Sequence, residues 1–204
     1  MTLTPPLDLL KERLQSRPLN PVALASPTQL APWRPGAILI LTYPLEGVPY
    51  LVLTLRPNSM RRHAGQICLP GGGYEPGDGS LLATALRETE EELGVPPHAI
   101  EIWGALDQSV ITVSRYQITP FVGFARERPS FKPNPDEVAE IVEVPVSLLT
   151  DSTALREEIR ELSTGPRAIS FYPWREHKIW GATARVLGQL AFLLDESAKQ
   201  PIEI

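Results

Sequence analysis

The chain has one cysteine in 204 residues, Cys68, so no disulfide can close within it and nothing points to an oxidising compartment. Flanked by Ile67 and Leu69, Cys68 reads as a small buried hydrophobe rather than a nucleophile. Long apolar runs are missing too. The longest, Ala37 to Leu45, is broken at Pro44 and falls well short of the ~20 residues that span a bilayer. The first residues, MTLTPPLDLLKERL, hold no basic segment leading into an apolar core, so no secretory signal is read there. A basic excess is also absent: 19 Lys and Arg stand against 24 Asp and Glu, a net charge of −5, which argues against a general nucleic-acid or anionic-membrane surface. The expectation is a soluble, cytoplasmic protein. With no internal repeat or shift in composition, residues 1–204 are expected to form a single domain, of which 1–35 are an N-terminal helix and an irregular extension.

Several chemistries lack their motifs. There is no G-x-S-x-G for a serine hydrolase, no GK[ST] for a P-loop, and YEPGDGS lacks the twelve-position ligand pattern of an EF-hand. His98 and His177 have no ligand spacing and read as surface residues.

What is present begins with turns: 22 prolines, scattered between periodic segments, imply many rigid turns rather than a disordered tail. Leu7 to Leu14 reads as a short amphipathic packing helix, and Ser16 to Pro35 as irregular. Ala37 to Tyr43, Tyr50 to Leu55, Ile100 to Trp103, Ser109 to Val113, Tyr116 to Ala125 and Ile169 to Tyr172 read as strands. Asp151 to Ser163, rich in charge, reads as a short surface helix or loop, and Ala182, Val186, Leu187 and Leu190 follow the spacing of a packed C-terminal helix.

The densest signal is GGGYEPGDGSLLATALRETEEELGV, Gly71 to Val95. Ser80 is the expected N-cap and Gly94 the C-cap, with Pro96 and Pro97 preventing continuation. Leu82, Leu86, Thr89 and Leu93, spaced four, three and four, predict the face that packs on the core. Glu88, Glu91 and Glu92 then crowd the far side, in the last two turns, where like charges repel by roughly 0.2–0.5 kcal/mol per pair and the helix dipole disfavours anions. A solvated acidic face explains neither cost, nor the glycine turn before the helix. A divalent cation on the carboxylates explains all three, because Mg²⁺ takes one or two carboxylates together with waters and substrate phosphates.

Gly73, Arg87, Glu88, Glu91, Glu92, Gly94 and Val95 stand at the spacing of the Nudix box, G-x5-E-x7-R-E-U-x-E-E-x-G-U with U a bulky apolar residue, and the chain resembles that family. It departs from the pattern at Gly79, where the first Glu is expected, and at Thr89, where an apolar residue is expected; Asp78 is a substitute carboxylate one residue away. Upstream, Leu53-Thr54-Leu55-Arg56, Arg61-Arg62-His63-Ala64-Gly65 and Pro70-Gly71-Gly72 resemble the signature of the coenzyme A pyrophosphatase branch, as does the segment Ile179 to Ala184.

The resemblance implies an α/β/α sandwich with a mixed β-sheet and a metal-dependent hydrolase, with Mg²⁺ or Mn²⁺ as cofactor. Its substrate would be coenzyme A or an acyl thioester, cleaved at the diphosphate; the alternatives are another nucleotide such as ADP-ribose or NADH, or a non-catalytic nucleotide-binding module. It implies that Glu88 and Glu92 bind metal, that Glu91 binds a further metal or orients and deprotonates water, and that Arg87 holds Glu91 in place. Gly71 and Gly72 would let the backbone approach metal and phosphates, while Arg56, Arg61 and His63 would meet the substrate. Val138, Glu140, Val142 and Val144 share a strand face. Glu140 there is a metal ligand or general base from outside the box, or a strand-end carboxylate in water, and with no partner in view the last is preferred.

Overall fold

The computed structural model describes residues 5–17, 33–60, 63–112, 114–162 and 165–201. Helix α1 (Pro5–Gln15) is followed by strands β1 (Arg34–Leu45), β2 (Val48–Leu55), β3 (Ile67–Cys68) and β4 (Gly71–Gly73). After helix α2 (Leu81–Leu93) come β5 (Glu101–Ala105), β6 (Ser109–Ile111), β7 (Tyr116–Phe124), β8 (Glu140–Pro145) and the short α3 (Ser147–Thr150). The chain then forms β9 (Arg156–Leu162), β10 (Gly165–Trp174), β11 (His177–Trp180) and α4 (Gly181–Leu194). Among the described residues, eight strands make one sheet built on the path β3-β2-β1-β7-β5, and β11-β10-β9 make a second. β1 and β7 run parallel at the centre, from Arg34 opposite Tyr116 to Thr42 opposite Phe124, and the other pairs of the large sheet are antiparallel, so the sheet is mixed.

Period-two alternation divides β1 between two cores. Ala37, Leu39, Leu41 and Tyr43 face the cluster that also holds Leu81, Ala85 and Leu93 of α2. Ile40 faces the other cluster, with Leu7, Leu10 and Leu14 of α1 and Val186, Leu187 and Leu190 of α4. Helices therefore cover both faces of the large sheet, and the expected α/β/α sandwich is present. No helix among the described residues is long and apolar enough to cross a membrane.

Three readings need correction. Residues 156–162 form strand β9, not a surface helix or loop. The segment REEIREL is dominated by charge and lacks a strand's apolar alternation, and its backbone is extended because every residue from Arg156 to Leu162 is in register with β10. His177 is not a surface residue: its side chain is only 9% exposed and Nε2 lies 3.2 Å from Glu140 Oε1. The buried stripe of α2 is wider than expected. Thr89 and Leu93 of the expected face are buried and Leu82 and Leu86 are half-buried against the same core, while Leu81 and Ala85 are buried beside them and Glu92 is 3% exposed. Leu81, Ala85, Glu88 and Glu92 repeat the same four, three, four spacing one residue earlier, so two acidic side chains continue the inward stripe. Of the extension, residues 18–32 lie outside those described, as does Val113 at the end of the fourth predicted strand.

Candidate active site

Helix α2 begins where Ser80, extended at φ −156°, accepts a hydrogen bond from Ala83 N at 3.1 Å, a cap worth about 1 kcal/mol. It ends where Gly94 turns left-handed at φ +69° and donates its N–H to Glu90 O at 2.8 Å. Both limits lie where the sequence places them. The helix rests on β4, whose three glycines pair with Gly36, Ala37 and Ile38 of β1. Glycine is required at Gly71 because the backbone is at φ +143° against Ala37 and Ile38 of β1, and at Gly72 a Cβ would push the Glu88 carboxylate aside.

Arg87 organises one side of this arrangement. Its Nε donates to Asp78 Oδ1 at 2.7 Å, its Nη2 to Asp78 Oδ2 and to Gly73 O, each at 3.2 Å, and its Nη1 to Glu91 Oε2 at 2.8 Å. Glu88 Oε1 lies 2.9 Å from the same Nη2. Asp78 also accepts from Thr84 Oγ1 at 2.7 Å and from the Glu75 N–H at 2.9 Å. Those donors occupy both carboxylate oxygens, so Asp78 stands in the structure as the anchor of Arg87. The Arg87 hydrogen bond holds the Asp78 carboxyl down at about 2.

Glu88, Glu92 and Glu137 form the acidic centre: one carboxylate oxygen from each lies within 4.8 Å of the others. Glu137 comes from the segment before β8, where the sequence pattern points instead to Glu140, three residues later. Asn134-Pro135 ahead of Glu137, an N-cap followed by a first-turn proline, was the available signal for a turn that fixes its side chain. Glu92 accepts from Gly71 N at 3.3 Å and lies 4.0 Å from Arg56 Nη1. Burial pushes its carboxyl up to about 8 against the pull of Arg56, and burial likewise raises Glu88 against the pull of Arg87. Glu91 lies outside this trio, with its side chain 53% exposed and held by Arg87.

The remaining predicted residues fall at different distances from the centre. Arg56, just after β2, has a buried Nε with no hydrogen-bond partner. His63 is exposed, at φ +56°, and its Nδ1 hydrogen-bonds Gln66 Oε1 at 2.9 Å in the loop closed by Arg56 N to Gln66 O. Arg61 lies outside the described residues. Glu140 faces the opposite side of β8 from the acidic centre, in a group with Glu176 and His177, where with the Trp174 Nε1 bond to Glu143 O it ties the β10–β11 hairpin to β8. Cys68 Sγ packs against Thr54, and burial raises its thiol pKa.

Three carboxylates converging on one point suit a hard divalent cation, whose preferred ligands are oxygens, and the partnerless Arg56 Nε beside them suits a phosphate oxygen. Residues 32–165 match the NUDIX domain family. The chain is 36% identical over 165 residues to a protein of Photorhabdus laumondii named "Uncharacterized Nudix hydrolase NudL", covering 81% of this chain and 88% of the relative. It is also 36% identical over 169 residues to the Pectobacterium atrosepticum protein of the same name, covering 80% and 84%. Among solved structures it is similar to the Nudix hydrolase RenU of M. smegmatis, with 22% identity, a TM-score of 0.48, and 58% of this chain and 74% of that one covered. It is also similar to the NUDIX domain of Shewanella oneidensis NrtR complexed with ADP ribose, with 20% identity, a TM-score of 0.46, and 60% and 79% covered. The chain belongs to the NUDIX domain family and is a Nudix pyrophosphatase, a class of hydrolase that generally uses divalent metal ions.

Proposed function

We propose that this single-domain enzyme hydrolyses the diphosphate of coenzyme A or an acyl thioester of it, giving 3′,5′-ADP and 4′-phosphopantetheine or its acyl form. The observation that carries the hydrolytic reading is the convergence of Glu88, Glu92 and Glu137 beside the partnerless Arg56 Nε. The coenzyme A reading rests on the resemblance of the Leu53 to Gly72 motifs.

In this reading Glu88, Glu92 and Glu137 hold Mg²⁺ or Mn²⁺. The bound ion supplies charge neutralisation of the diphosphate and lowers the pKa of water. The chain's own residues do the rest. Arg56 and Arg61 bind phosphate oxygens, and His63 contacts the substrate from the loop between them and Gln66. Gly71 and Gly72 keep the Glu88 carboxylate close to the backbone of β4. Arg87 orients Glu88 and Glu91, and Glu91 takes the proton of the attacking water. The water oxygen forms one new P–O bond, the bridging P–O bond breaks, and two phosphate monoesters leave.

A product assay by mass spectrometry tests this with coenzyme A, ADP-ribose and NADH, each with Mg²⁺ or Mn²⁺, using wild type and Glu92→Gln. The expected result is 3′,5′-ADP with phosphopantetheine from wild type alone. Turnover of ADP-ribose or NADH without coenzyme A cleavage would replace the substrate, and no turnover of any of them would favour a nucleotide-binding module.

A further inference from the structure

We propose that Asn134 is a positioning residue for the acidic centre, locking Glu137 to the end of the helix that carries Glu88 and Glu92; this rests on the metal-site reading above.

The last carbonyls of a helix have no partner within it. At the end of α2 two of them are taken by the segment that leads to Glu137: Lys132 N donates to Leu93 O at 2.8 Å and Asn134 N donates to Glu92 O at 3.0 Å. Pro133 and Pro135 flank Asn134 and carry no N–H, so the Asn134 amide is the donor available at that point. The segment lies close enough for a Cβ at Gly94 to approach Lys132 Cβ to 2.8 Å.

On its other side Asn134 caps a single turn. Its Oδ1 accepts from Asp136 N at 3.1 Å, and its C=O accepts from Glu137 N at 3.1 Å and Val138 N at 2.8 Å. Pro135 occupies the first position of that turn, where a missing N–H costs nothing. One peptide residue is thus bonded through its N–H to the main chain of Glu92 and through its C=O to the main chain of Glu137. Two carboxylates far apart in sequence keep their separation through those bonds, and the Asn134 side chain holds the turn closed. The start of the segment is fixed independently, by Arg128 donating to both carboxylate oxygens of Glu143 at 2.7 and 3.0 Å. Loosening the turn therefore frees Glu137 without releasing the whole segment.

The test is Mn²⁺ titration of the metal-free protein, followed by electron paramagnetic resonance, on wild type, Asn134→Ala, Asn134→Asp, Glu137→Gln and the Asn134→Ala/Glu137→Gln double variant, with thermal midpoints measured alongside. Asn134→Ala is expected to weaken Mn²⁺ binding on the order of fivefold, the size of a lost cap, and to lower the thermal midpoint by only about 2–4 °C, with the protein still folded. Asn134→Asp keeps the acceptor and should bind at least as tightly as wild type. In the Glu137→Gln background Asn134→Ala should have no further effect. Wild-type Mn²⁺ affinity in Asn134→Ala, equal losses in the Ala and Asp variants, or a loss that persists in the double variant would each overturn the proposal. If Glu137→Gln leaves Mn²⁺ affinity unchanged, the metal-site reading itself fails and the proposal with it.

Discussion

Asp78 meets Arg87 edge to edge, Oδ1 with Nε at 2.7 Å and Oδ2 with Nη2 at 3.2 Å, so that the residue preceding the vacant first-Glu position of the box holds the arginine that holds two of its glutamates. The Asp78 side chain is 5% exposed. Asp78→Ala leaves the Arg87 fork without its main acceptor and should lower unfolding stability by about 1.5–3 kcal/mol in urea titrations. Equal stability of the two proteins would mean that the pair is not needed for the fold.

The same pair gives a pH dependence. Asp78 is held at about 2, below the ordinary carboxylate value, because Arg87 stabilises its charged form. A lowered folded-state pKa contributes stability that is complete above the unfolded value of about 4 and is lost as pH falls through the folded value. The stability difference between wild type and Asp78→Asn should therefore be constant above about pH 5 and shrink as pH falls from about 4 to 2. A difference that does not change across that range would remove the assignment.

Gly72→Ala places a methyl group against the Glu88 carboxylate, whereas Gly73→Ala meets Tyr116 Oη at 3.0 Å, a milder contact. Because only the end of the flexible Glu88 side chain must move, Gly72→Ala should cost little stability and, by displacing a proposed ligand, weaken Mn²⁺ binding on the order of tenfold. Calorimetric metal titration of the two variants checks the order, with Gly73→Ala the less affected.

Glu92→Gln keeps an acceptor for the Gly71 N–H and removes the negative charge. The protein should stay folded by circular dichroism and lose more than about 100-fold in turnover, beyond the loss from a supporting partner alone. A fully active variant would take Glu92 out of the metal site.

Arg56 separates substrate binding from metal binding. Its guanidinium lies 4.0 Å from Glu92, and its buried Nε has no hydrogen-bond partner. Arg56→Ala should raise KM about tenfold or more, the worth of a charge-assisted hydrogen bond, while Mn²⁺ affinity stays the same or rises. A fall in Mn²⁺ affinity with unchanged KM would reverse the two roles.

The limits of α2 were legible because they depend on local chemistry: Ser80 bonds three residues ahead, Gly94 alone tolerates its left-handed backbone, and the box residues sit at fixed offsets between them. The central strands were legible for the same reason, since Ala37 to Tyr43 and Tyr116 to Ala125 carry apolar side chains on both faces of a buried sheet. What the sequence could not show was that a second four, three, four spacing, one residue earlier, faces the sheet as well. Leu82 to Leu93 is the more apolar, but the glycine strand β4 leaves room for carboxylates, and the helix turns Glu88 and Glu92 toward it. Strand β9 was illegible because its partner β10, not its own composition, extends it. Glu137 was illegible as a member of the centre for a related reason. Its place beside Glu92 comes from hydrogen bonds between a helix end and a distant loop, and contacts of that kind exist only once the chain has folded.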